Sequence, residues 1–362
     1  MEIKKSNCYS RLRLLSLMVI WLIPAVTFAE EIFMSNGIVY HVLSSKDVEV
    51  RSIVSFKKND LNSDDGSIGY ADDWYYKGGI FIPETVTYQG AKYNVTVIGD
   101  NAFFRCKDLT YVYIPNSVSK IGEDAFWECE KLINIQIPTS VISIGAGAFY
   151  YTGLISISIP DSVKEIGDWA FYGCEKIEKF NIPSSVTEIG DGTFAHCSRL
   201  SDVTIPKSIT KIGSDAFEAC VSLTSLILPD SVTEIGGGAF DGCENLKKIN
   251  IPDAVKEIHR YTFRGTSISN INIPNSVTEI YKCAFADCKC LTSVKVPNSV
   301  TKIGPCAFEC CTNLNNIEIP NSVKIIDDYA FSRCSSLKSV IIPANVVLGD
   351  EVFPKTTRVI RR

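Results

Sequence analysis

The sequence has few of the residues from which catalytic and metal sites are built. It contains only three histidines, His41, His196 and His259, on segments far apart in the chain. Neither a metal site nor a nucleophile–base pair assembles easily from histidines so widely separated. No stretch resembles a phosphate-binding loop or a cofactor-binding motif, because the recurring glycines belong to a repeat described below. We therefore expect a protein that is not an enzyme and that holds no cofactor and no metal.

Excess positive charge and long apolar runs are missing after residue 29. Residues 1–29 place four basic residues before a short apolar run, Leu14 to Ile23, and end in "VTFA". This pattern predicts a secretory signal peptide, with an uncleaved anchor helix as the alternative, since the apolar run is shorter than the ~20 residues that a membrane span needs. The remaining chain has 32 basic and 40 acidic residues, a formal charge of −8, which argues against a nucleic-acid partner. We expect no transmembrane segment in the mature chain and an exported protein that is extracellular, on the cell surface or periplasmic.

One acidic stretch, "DLNSDDGS" from Asp60 to Ser67, has oxygen-bearing side chains at alternate positions, as calcium-binding loops do. Its glycine stands at the seventh position instead of the sixth, and no glutamate closes the loop. A solvated loop is the prediction for this segment, and a calcium site is the alternative.

A regular spacing of phenylalanines dominates the rest of the chain. Eight of the eleven intervals between these phenylalanines are 23 residues long and three are 22. A unit this short cannot bury its own apolar side chains, so we expect each copy to be one coil of a solenoid that its neighbours stabilise. The phenylalanines that mark the coils are Phe103, Phe126, Phe149, Phe171, Phe194, Phe217, Phe240, Phe263, Phe285, Phe308, Phe331 and Phe353.

The consensus L-x-x-I-x-I-P-x-S-V-x-x-I-G-x-x-A-F-x-x-C gives each recurring residue a physical role. Apolar residues two apart, such as Val203 and Ile205, predict a strand with one face buried. The proline that follows lacks a backbone N–H and ends that strand. The glycine after the next isoleucine, as at Gly190, indicates either a positive φ or a close approach of two backbones.

Cysteine occurs three residues after the phenylalanine in nine copies, and Thr152 and Thr266 replace it in two others. Because these cysteines recur at one repeat position, we expect small buried side chains and not a disulfide framework. The remaining cysteines lie in two consecutive coils and are Cys283, Cys290, Cys306 and Cys310. Cys283 and Cys306 share a repeat position, which places their backbones ~5 Å apart. A Cys283–Cys306 disulfide is therefore the alternative to free thiols.

The unit IP-x-SV-x-x-IG-x-x-AF-x-x-C resembles the BspA-type, or treponemal-type, leucine-rich repeat of surface and secreted proteins from host-associated anaerobic bacteria and some protozoa. The resemblance covers roughly Ile98 to Phe353. It implies a leucine-rich-repeat solenoid with a parallel β-sheet on its concave face, and with turns, short helical or extended segments on its convex face. It also implies binding to proteins of a host or of neighbouring cells, and it does not imply an enzyme.

The chain divides into four predicted segments. These are a signal peptide at residues 1–29, an N-terminal β cap at 30–97, the repeat solenoid at 98–353 and a C-terminal cap at 354–362. Alternating apolar runs that begin at Ile38 and Val48 predict strands of the cap, and Gln89-Gly90 predicts the turn of a hairpin. This cap would cover the apolar edge of the first coil.

Two surfaces are candidates for binding. The outward positions of the concave strands are polar, small and nearly neutral, and the candidate contacts among them are Tyr111, Tyr113, Asn134 and Gln136. The position after the repeat phenylalanine is aromatic in the first four coils, at Phe104, Trp127, Tyr150 and Tyr172. These four residues form an aromatic strip, which indicates either packing along the convex wall or a binding site for protein or glycan.

We therefore predict an exported, non-enzymatic protein that mediates protein–protein interaction or adhesion at the cell surface. The expected partners are host matrix or cell-surface proteins, or proteins of neighbouring cells, with glycans as a further class. A structural or spacer protein of the envelope without a specific ligand is the alternative. A glycan-active enzyme is a distant alternative, since a nearly neutral concave face offers no pair of facing carboxylates.

Overall fold

A computed structural model of the chain describes residues 31–52 and 75–362. The predicted signal peptide and the predicted loop from Asp60 to Ser67 lie outside the described residues. Within 31–52 and 75–362 the chain is built of strands and turns, without any helix. From the first coil onward the strands stack in parallel, so the solenoid architecture predicted from the repeat is confirmed.

Six strands precede the coils within residues 31–52 and 75–98. The first three form an antiparallel ribbon, and the fifth and sixth form a hairpin whose two loop residues, Gln89 and Gly90, have φ of 49° and 80°. Two positive φ values in a two-residue loop are the signature of a type I′ turn. The strands are β1 (Ile32–Ser35), β2 (Ile38–Val42), β3 (Asp47–Arg51), β4 (Gly78–Phe81), β5 (Thr85–Tyr88) and β6 (Ala91–Ile98).

The strands that precede the recurrent proline form a row of short parallel ladders, which we call the proline-side sheet. The sequence prediction assigns these strands to the concave face. Equal repeat positions are neighbours in it, as where Phe180 pairs with Val203. Their inward side chains therefore pack on each other from coil to coil. The strands are β7 (Leu109–Tyr113), β11 (Lys179–Asn181), β13 (Asp202–Thr204), β15 (Ser225–Leu226), β17 (Lys248–Ile249), β19 (Asn270–Asn272), β21 (Ser293–Lys295), β23 (Asn316–Glu318), β25 (Ser339–Ile342) and β27 (Arg358–Arg361).

A second row of parallel strands, each two residues long, ends just before the recurrent glycine. We call it the glycine-side sheet, and its isoleucines, such as Ile212 and Ile235, pair in register and are buried. Strand β6 of the N-terminal segment pairs with the first of them. They are β8 (Lys120–Ile121), β9 (Ser143–Ile144), β10 (Glu165–Ile166), β12 (Glu188–Ile189), β14 (Lys211–Ile212), β16 (Glu234–Ile235), β18 (Glu257–Ile258), β20 (Glu279–Ile280), β22 (Lys302–Ile303), β24 (Ile325–Ile326) and β26 (Val347–Leu348).

The repeat phenylalanines form one continuous column through the core. From Phe103 to Phe353, the ring centroids of neighbouring coils are 5.1 to 5.9 Å apart and the rings are nearly parallel. The rings before Phe353 are at most 1% exposed. Tyr76 lies 5.1 Å from Phe103 and covers the first ring. Each coil thus buries its phenylalanine only because another ring lies on either side.

The repeat cysteines are buried, and their thiols have a specific partner. Sγ of Cys129 donates a hydrogen bond of 3.1 Å to the carbonyl oxygen of Phe103 in the preceding coil, and the same bond recurs along the column. Burial raises the pKa of the Cys174 thiol to about 12, so the sulfur keeps the proton that it donates. Where threonine replaces cysteine, Oγ1 of Thr266 donates instead to Phe263 of its own coil, at 2.9 Å.

The recurrent glycine is explained by a close approach of neighbouring coils. A Cβ at Gly236 would lie 2.4 Å from the backbone nitrogen of Ser214, a distance that no real Cβ tolerates. Positive φ values occur instead two residues after this glycine, as at Gly192, and two residues after the phenylalanine, as at His196. Of the two roles that the sequence leaves open for this glycine, the close approach of the neighbouring coil applies. The approaching atom belongs to the backbone at Gly236 and to the Asp168 side chain at Gly190.

Candidate functional site

The N-terminal end of the proline-side sheet carries three aromatic side chains on its outward face. Strand β4 pairs in parallel with β7, and this register sets Phe81 beside Tyr113 and Gly79 beside Tyr111. The rings of Phe81 and Tyr113 are stacked, with centroids 4.5 Å apart and an angle of 3° between their planes. Phe81 is 67% exposed and Tyr111 is 50% exposed. We call Phe81, Tyr111 and Tyr113 the N-terminal aromatic cluster.

The alternation of side chains along both strands explains why these rings face outward. Val112 and Ile82, which neighbour the aromatic residues in sequence, are buried. Because successive side chains of a strand point to opposite faces, Phe81, Tyr111 and Tyr113 must lie on the solvent side.

The next coil adds two amide side chains to the same face. Asn134 and Gln136 are both exposed, and Gln136 forms a parallel bridge with Ser158 of the coil beyond. The four contacts predicted on this face therefore lie on the outward side of two consecutive coils, and Phe81 lies beside the first of them. Sequence reasoning missed Phe81 because it precedes the first full repeat, although "IFIP" from Ile80 to Pro83 has the I-x-I-P pattern of the repeat strands.

Most of the remaining proline-side face is polar. Lys179 and Asp202 form an ion pair of 3.5 Å across neighbouring strands, and exposed ion pairs of this kind contribute little free energy. Ile227, 81% exposed, is a large apolar side chain on this face whose neighbours in the same row, Thr204 and Asn250, are polar. A single exposed isoleucine is ordinary for a protein surface and does not form a patch.

A groove lies at the opposite end of this face. It encloses about 1060 Å³, and amide and charged side chains line it, among them Lys295, Asn298, Glu318 and Asn321. Aromatic and arginine side chains dominate the binding free energy at most protein interfaces. The residues that line this groove include one arginine, Arg362, and no aromatic ring. The N-terminal aromatic cluster is therefore the stronger candidate contact surface.

The aromatic strip forms a second ladder outside the phenylalanine column. Its ring centroids are 6.1 Å apart between Phe104 and Trp127, 3.5 Å between Trp127 and Tyr150, and 4.5 Å between Tyr150 and Tyr172. All four side chains are half-buried. Burial raises the pKa of the Tyr150 and Tyr172 hydroxyls, which therefore stay protonated. The rings cover each other's faces and leave mainly their edges for a ligand.

The three histidines lie at separate places in the fold. Nδ1 of His41 is 2.9 Å from Glu49, Nε2 of His196 is 4.0 Å from Glu218, and Nε2 of His259 is 3.7 Å from Glu257. Within the described residues, no group of three or more histidines, cysteines or acidic residues is arranged to hold a metal ion. The described segments also contain no helix that is both long and apolar enough to cross a bilayer.

Sequence comparison matches the chain to a family described as "BspA type Leucine rich repeat region (6 copies)", over residues 84–200, 142–267 and 256–360. No curated protein matches the chain. The matched family is one of repeat proteins and not of enzymes.

Comparison with solved structures finds the same architecture in bacterial proteins. A leucine rich cell surface protein from Faecalibacterium prausnitzii A2-165 is 30% identical, with a TM-score of 0.65 and coverage of 90% of this chain and 86% of that chain. A leucine-rich repeat protein from Bacteroides ovatus ATCC 8483 is 27% identical over 91% of this chain and 99% of that chain, with a TM-score of 0.50. The pneumococcal vaccine antigen PcpA, at 18% identity and a TM-score of 0.57 over 92% of this chain and 99% of its own, shares the fold.

Proposed function

The chain belongs to the BspA-type leucine-rich repeat family, and from this premise we propose that it is an exported, non-enzymatic protein that adheres to other proteins at a cell surface. A stack of repeats offers an extended surface on which a partner can bind across several coils. The similar F. prausnitzii protein is described as a cell surface protein, which supports the same location for this chain. The predicted signal peptide supports its export.

The N-terminal aromatic cluster carries the proposal. Phe81 and Tyr111 leave 67% and 50% of their surface in water, on a face that is mostly polar apart from Ile227 and Ile341. Covering such rings releases free energy, and aromatic residues of this kind are the usual anchors of protein interfaces. Asn134 and Gln136 on the next coil supply hydrogen-bonding groups at the rim. A partner with an apolar side chain flanked by polar groups fits this arrangement.

The proposed partner class is proteins of a host matrix or host cell surface, or of neighbouring cells. Because the contact face is nearly neutral, electrostatic steering should contribute little to the association rate. We therefore expect the rate to change little with ionic strength. This behaviour separates the proposed contact from nonspecific adsorption to charged surfaces, which salt weakens strongly.

The test is a binding screen of the mature chain against immobilised matrix and cell-surface proteins, with a glycan array in parallel. We expect saturable binding to a protein, and Phe81→Ala together with Tyr111→Ala should weaken it by about tenfold or more. Ile227→Ala is the matched control, since it truncates an exposed apolar residue of the same face outside the cluster. It should leave the dissociation constant unchanged.

Two results would contradict the proposal. Absence of any saturable protein partner would favour a spacer of the envelope, and saturable binding to glycans alone would favour a lectin. If a protein does bind but the cluster variants and Ile227→Ala behave alike, the adhesive function would stand and the contact surface would be wrong.

A further inference from the structure

Two cysteines outside the buried column lie side by side on neighbouring coils. Cys283 and Cys306 occupy the same repeat position, directly before the alanine–phenylalanine pair of the repeat, and both are half-buried. Their backbones have almost the same conformation, with φ of 54° and 55°. Equal backbone conformations at equal positions of two stacked coils direct the two Cα–Cβ bonds the same way.

The stacking of the coils fixes the separation of the two backbones. The N–H of Cys283 donates to the carbonyl oxygen of Pro305 at 2.9 Å, and the N–H of Phe285 donates to that of Ala307 at 2.8 Å. The rings of Phe285 and Phe308 in the same coils are 5.1 Å apart. Coils that are hydrogen-bonded in this way hold equivalent Cα atoms ~5 Å apart, which lies within the range that a disulfide spans.

The surroundings of the two thiols keep both of them protonated. Burial raises the pKa of the Cys283 thiol. Burial and the neighbouring Glu309 carboxylate raise the pKa of Cys306 to about 12. Since the thiolate is the attacking species in thiol–disulfide exchange, both thiols should react slowly and stay reduced until a disulfide oxidant is supplied.

A second pair of cysteines in the same two coils provides an internal comparison. Cys288 and Cys311 are also equivalent positions of neighbouring coils, but both are fully buried. Each thiol donates to a phenylalanine carbonyl oxygen of the preceding coil at 3.1 Å. No oxidant can reach these sulfurs without opening the core, whereas Cys283 and Cys306 lie in the wall of the solenoid.

We propose that Cys283 and Cys306 form a reversible disulfide that staples two neighbouring coils near the C-terminal end of the repeats. The thiolate of one cysteine attacks a sulfur of a small-molecule or protein disulfide and displaces one of its thiols, which leaves a mixed disulfide. The second cysteine then attacks the bonded cysteine sulfur and displaces the other thiol. Two cysteine thiols are oxidised and one external disulfide is reduced to two thiols, which take up the two protons.

The disulfide would oppose the opening of the repeat stack at its ends. Each coil of a solenoid is held only by its neighbours, so the array opens from its ends. A covalent link between the coils of Phe285 and Phe308 ties the coils that follow to the body of the stack. An oxidising environment, such as that outside the cell, would therefore give a solenoid that resists opening at this end.

The experiment oxidises the folded mature chain with oxidised glutathione, alkylates the remaining thiols and digests the protein with trypsin without reduction. Cleavage after lysine places Cys283 on residues 283–289 and Cys306 on residues 303–324. We expect these two peptides to be joined, with the loss of two hydrogen atoms, and fragmentation should localise the bond to Cys283 and Cys306. Dithiothreitol should separate them.

Variants distinguish the proposed pair from its neighbours. Cys283→Ser and Cys306→Ser should each abolish the linked peptide, while Cys310→Ser and Cys288→Thr should retain it. Oxidation should raise the melting temperature of the unaltered protein and not that of Cys283→Ser, whose folding is checked by its circular dichroism under reducing conditions. Full alkylation of Cys283 and Cys306 after oxidation, or a bond that persists in Cys283→Ser, would overturn the proposal.

Discussion

Asp168 and Gly190, on consecutive coils, together form one corner of the solenoid. Oδ1 of Asp168 accepts a hydrogen bond of 2.8 Å from the N–H of Asp191. The same oxygen lies 2.4 Å from the point where a Cβ of residue 190 would stand. The aspartate that satisfies the backbone of the next coil therefore requires a glycine there. The arrangement recurs where Asp328 lies against Gly349.

Gly190→Ala should lower the free energy of unfolding by about 1–3 kcal/mol, because the new Cβ displaces the Asp168 carboxylate from its hydrogen bond. Asp168→Ala alone loses that bond and should cost about 0.5–1.5 kcal/mol. In the double variant the new Cβ at position 190 would meet no carboxylate, so the combined loss should be smaller than the sum. Urea denaturation of the unaltered protein, the two single variants and the double variant measures this coupling.

The control for this prediction is Gly79→Ala. Its Cβ would meet only the side chain of Tyr111, at 4.0 Å, so the free energy of unfolding should change by less than about 0.5 kcal/mol. Strictly additive losses at Asp168 and Gly190 would contradict the steric coupling.

Cys220→Ala should lower the free energy of unfolding by about 1–2 kcal/mol. The substitution removes a fully buried sulfur and leaves the carbonyl of Phe194 without the thiol donor that lies 3.1 Å away. Urea denaturation under reducing conditions checks the loss. Cys290→Ala, at an exposed cysteine, is the matched control and should be neutral within about 0.5 kcal/mol. Equal effects at the two positions would show that the buried thiol has no special role.

Trp127→Ala should destabilise the solenoid by about 2 kcal/mol and leave partner binding unchanged. The Trp127 ring is stacked on Tyr150 at 3.5 Å, so its removal loses both the buried area and the ring contact. Thermal denaturation and the binding assay of the mature chain are measured on the same preparation. Loss of binding with an unchanged melting temperature would instead make the aromatic strip a second contact surface.

The stability of the protein should depend on the ionisation of Asp124. Burial, with the carboxylates of Glu123 and Asp100, raises the pKa of Asp124 to about 6, above its value in an unfolded chain. The folded state therefore holds the proton more tightly, and this contribution is complete below pH ~4 and lost as the pH rises through 6. Asp124→Asn should stabilise the protein at pH 7.5 by about 1 kcal/mol, once solvent screening of this half-exposed group is allowed for.

The difference between Asp124→Asn and the unaltered protein should shrink as the pH is lowered to about 4.5, and urea denaturation at the two pH values measures it. Asp108→Asn is a control for which the change in stability at neutral pH should have the opposite sign. The Lys131 ammonium lowers the pKa of Asp108, so that ion pair stabilises at neutral pH and the benefit disappears on acidification. A pH-independent effect at Asp124 would contradict the raised pKa.

The repeat made much of the fold predictable. Phe126 and Phe149 are 23 residues apart and occupy the same position in the repeat, so stacking of the repeats brings their rings together. The alternation around Val203 likewise predicted a strand, and Asp202–Thr204 is one. The aromatic strip followed from the same logic, since Trp127 and Tyr150 hold equal repeat positions.

The repeat pattern did not predict contacts between residues that hold different positions in the repeat. That Phe81 stacks on Tyr113 depends on the parallel pairing of β4 with β7, which lie before and within the first coil. Nothing in the spacing predicts this register, because the 23-residue period does not apply across that boundary. The hydrogen bond from the cysteine thiol to the phenylalanine carbonyl was missed for a related reason, since it joins two different repeat positions of neighbouring coils.

The sequence by itself determined the solenoid, its phenylalanine column and the burial of its repeat cysteines. A repeat too short to fold alone is stable only when each of its residues packs on the equivalent residue of the neighbouring repeat. The tertiary structure decided why the glycine is needed, where the positive φ values fall and which aromatic rings share the exposed face. These depend on how closely one backbone approaches the next and in which register. Such distances arise only when two coils are packed together.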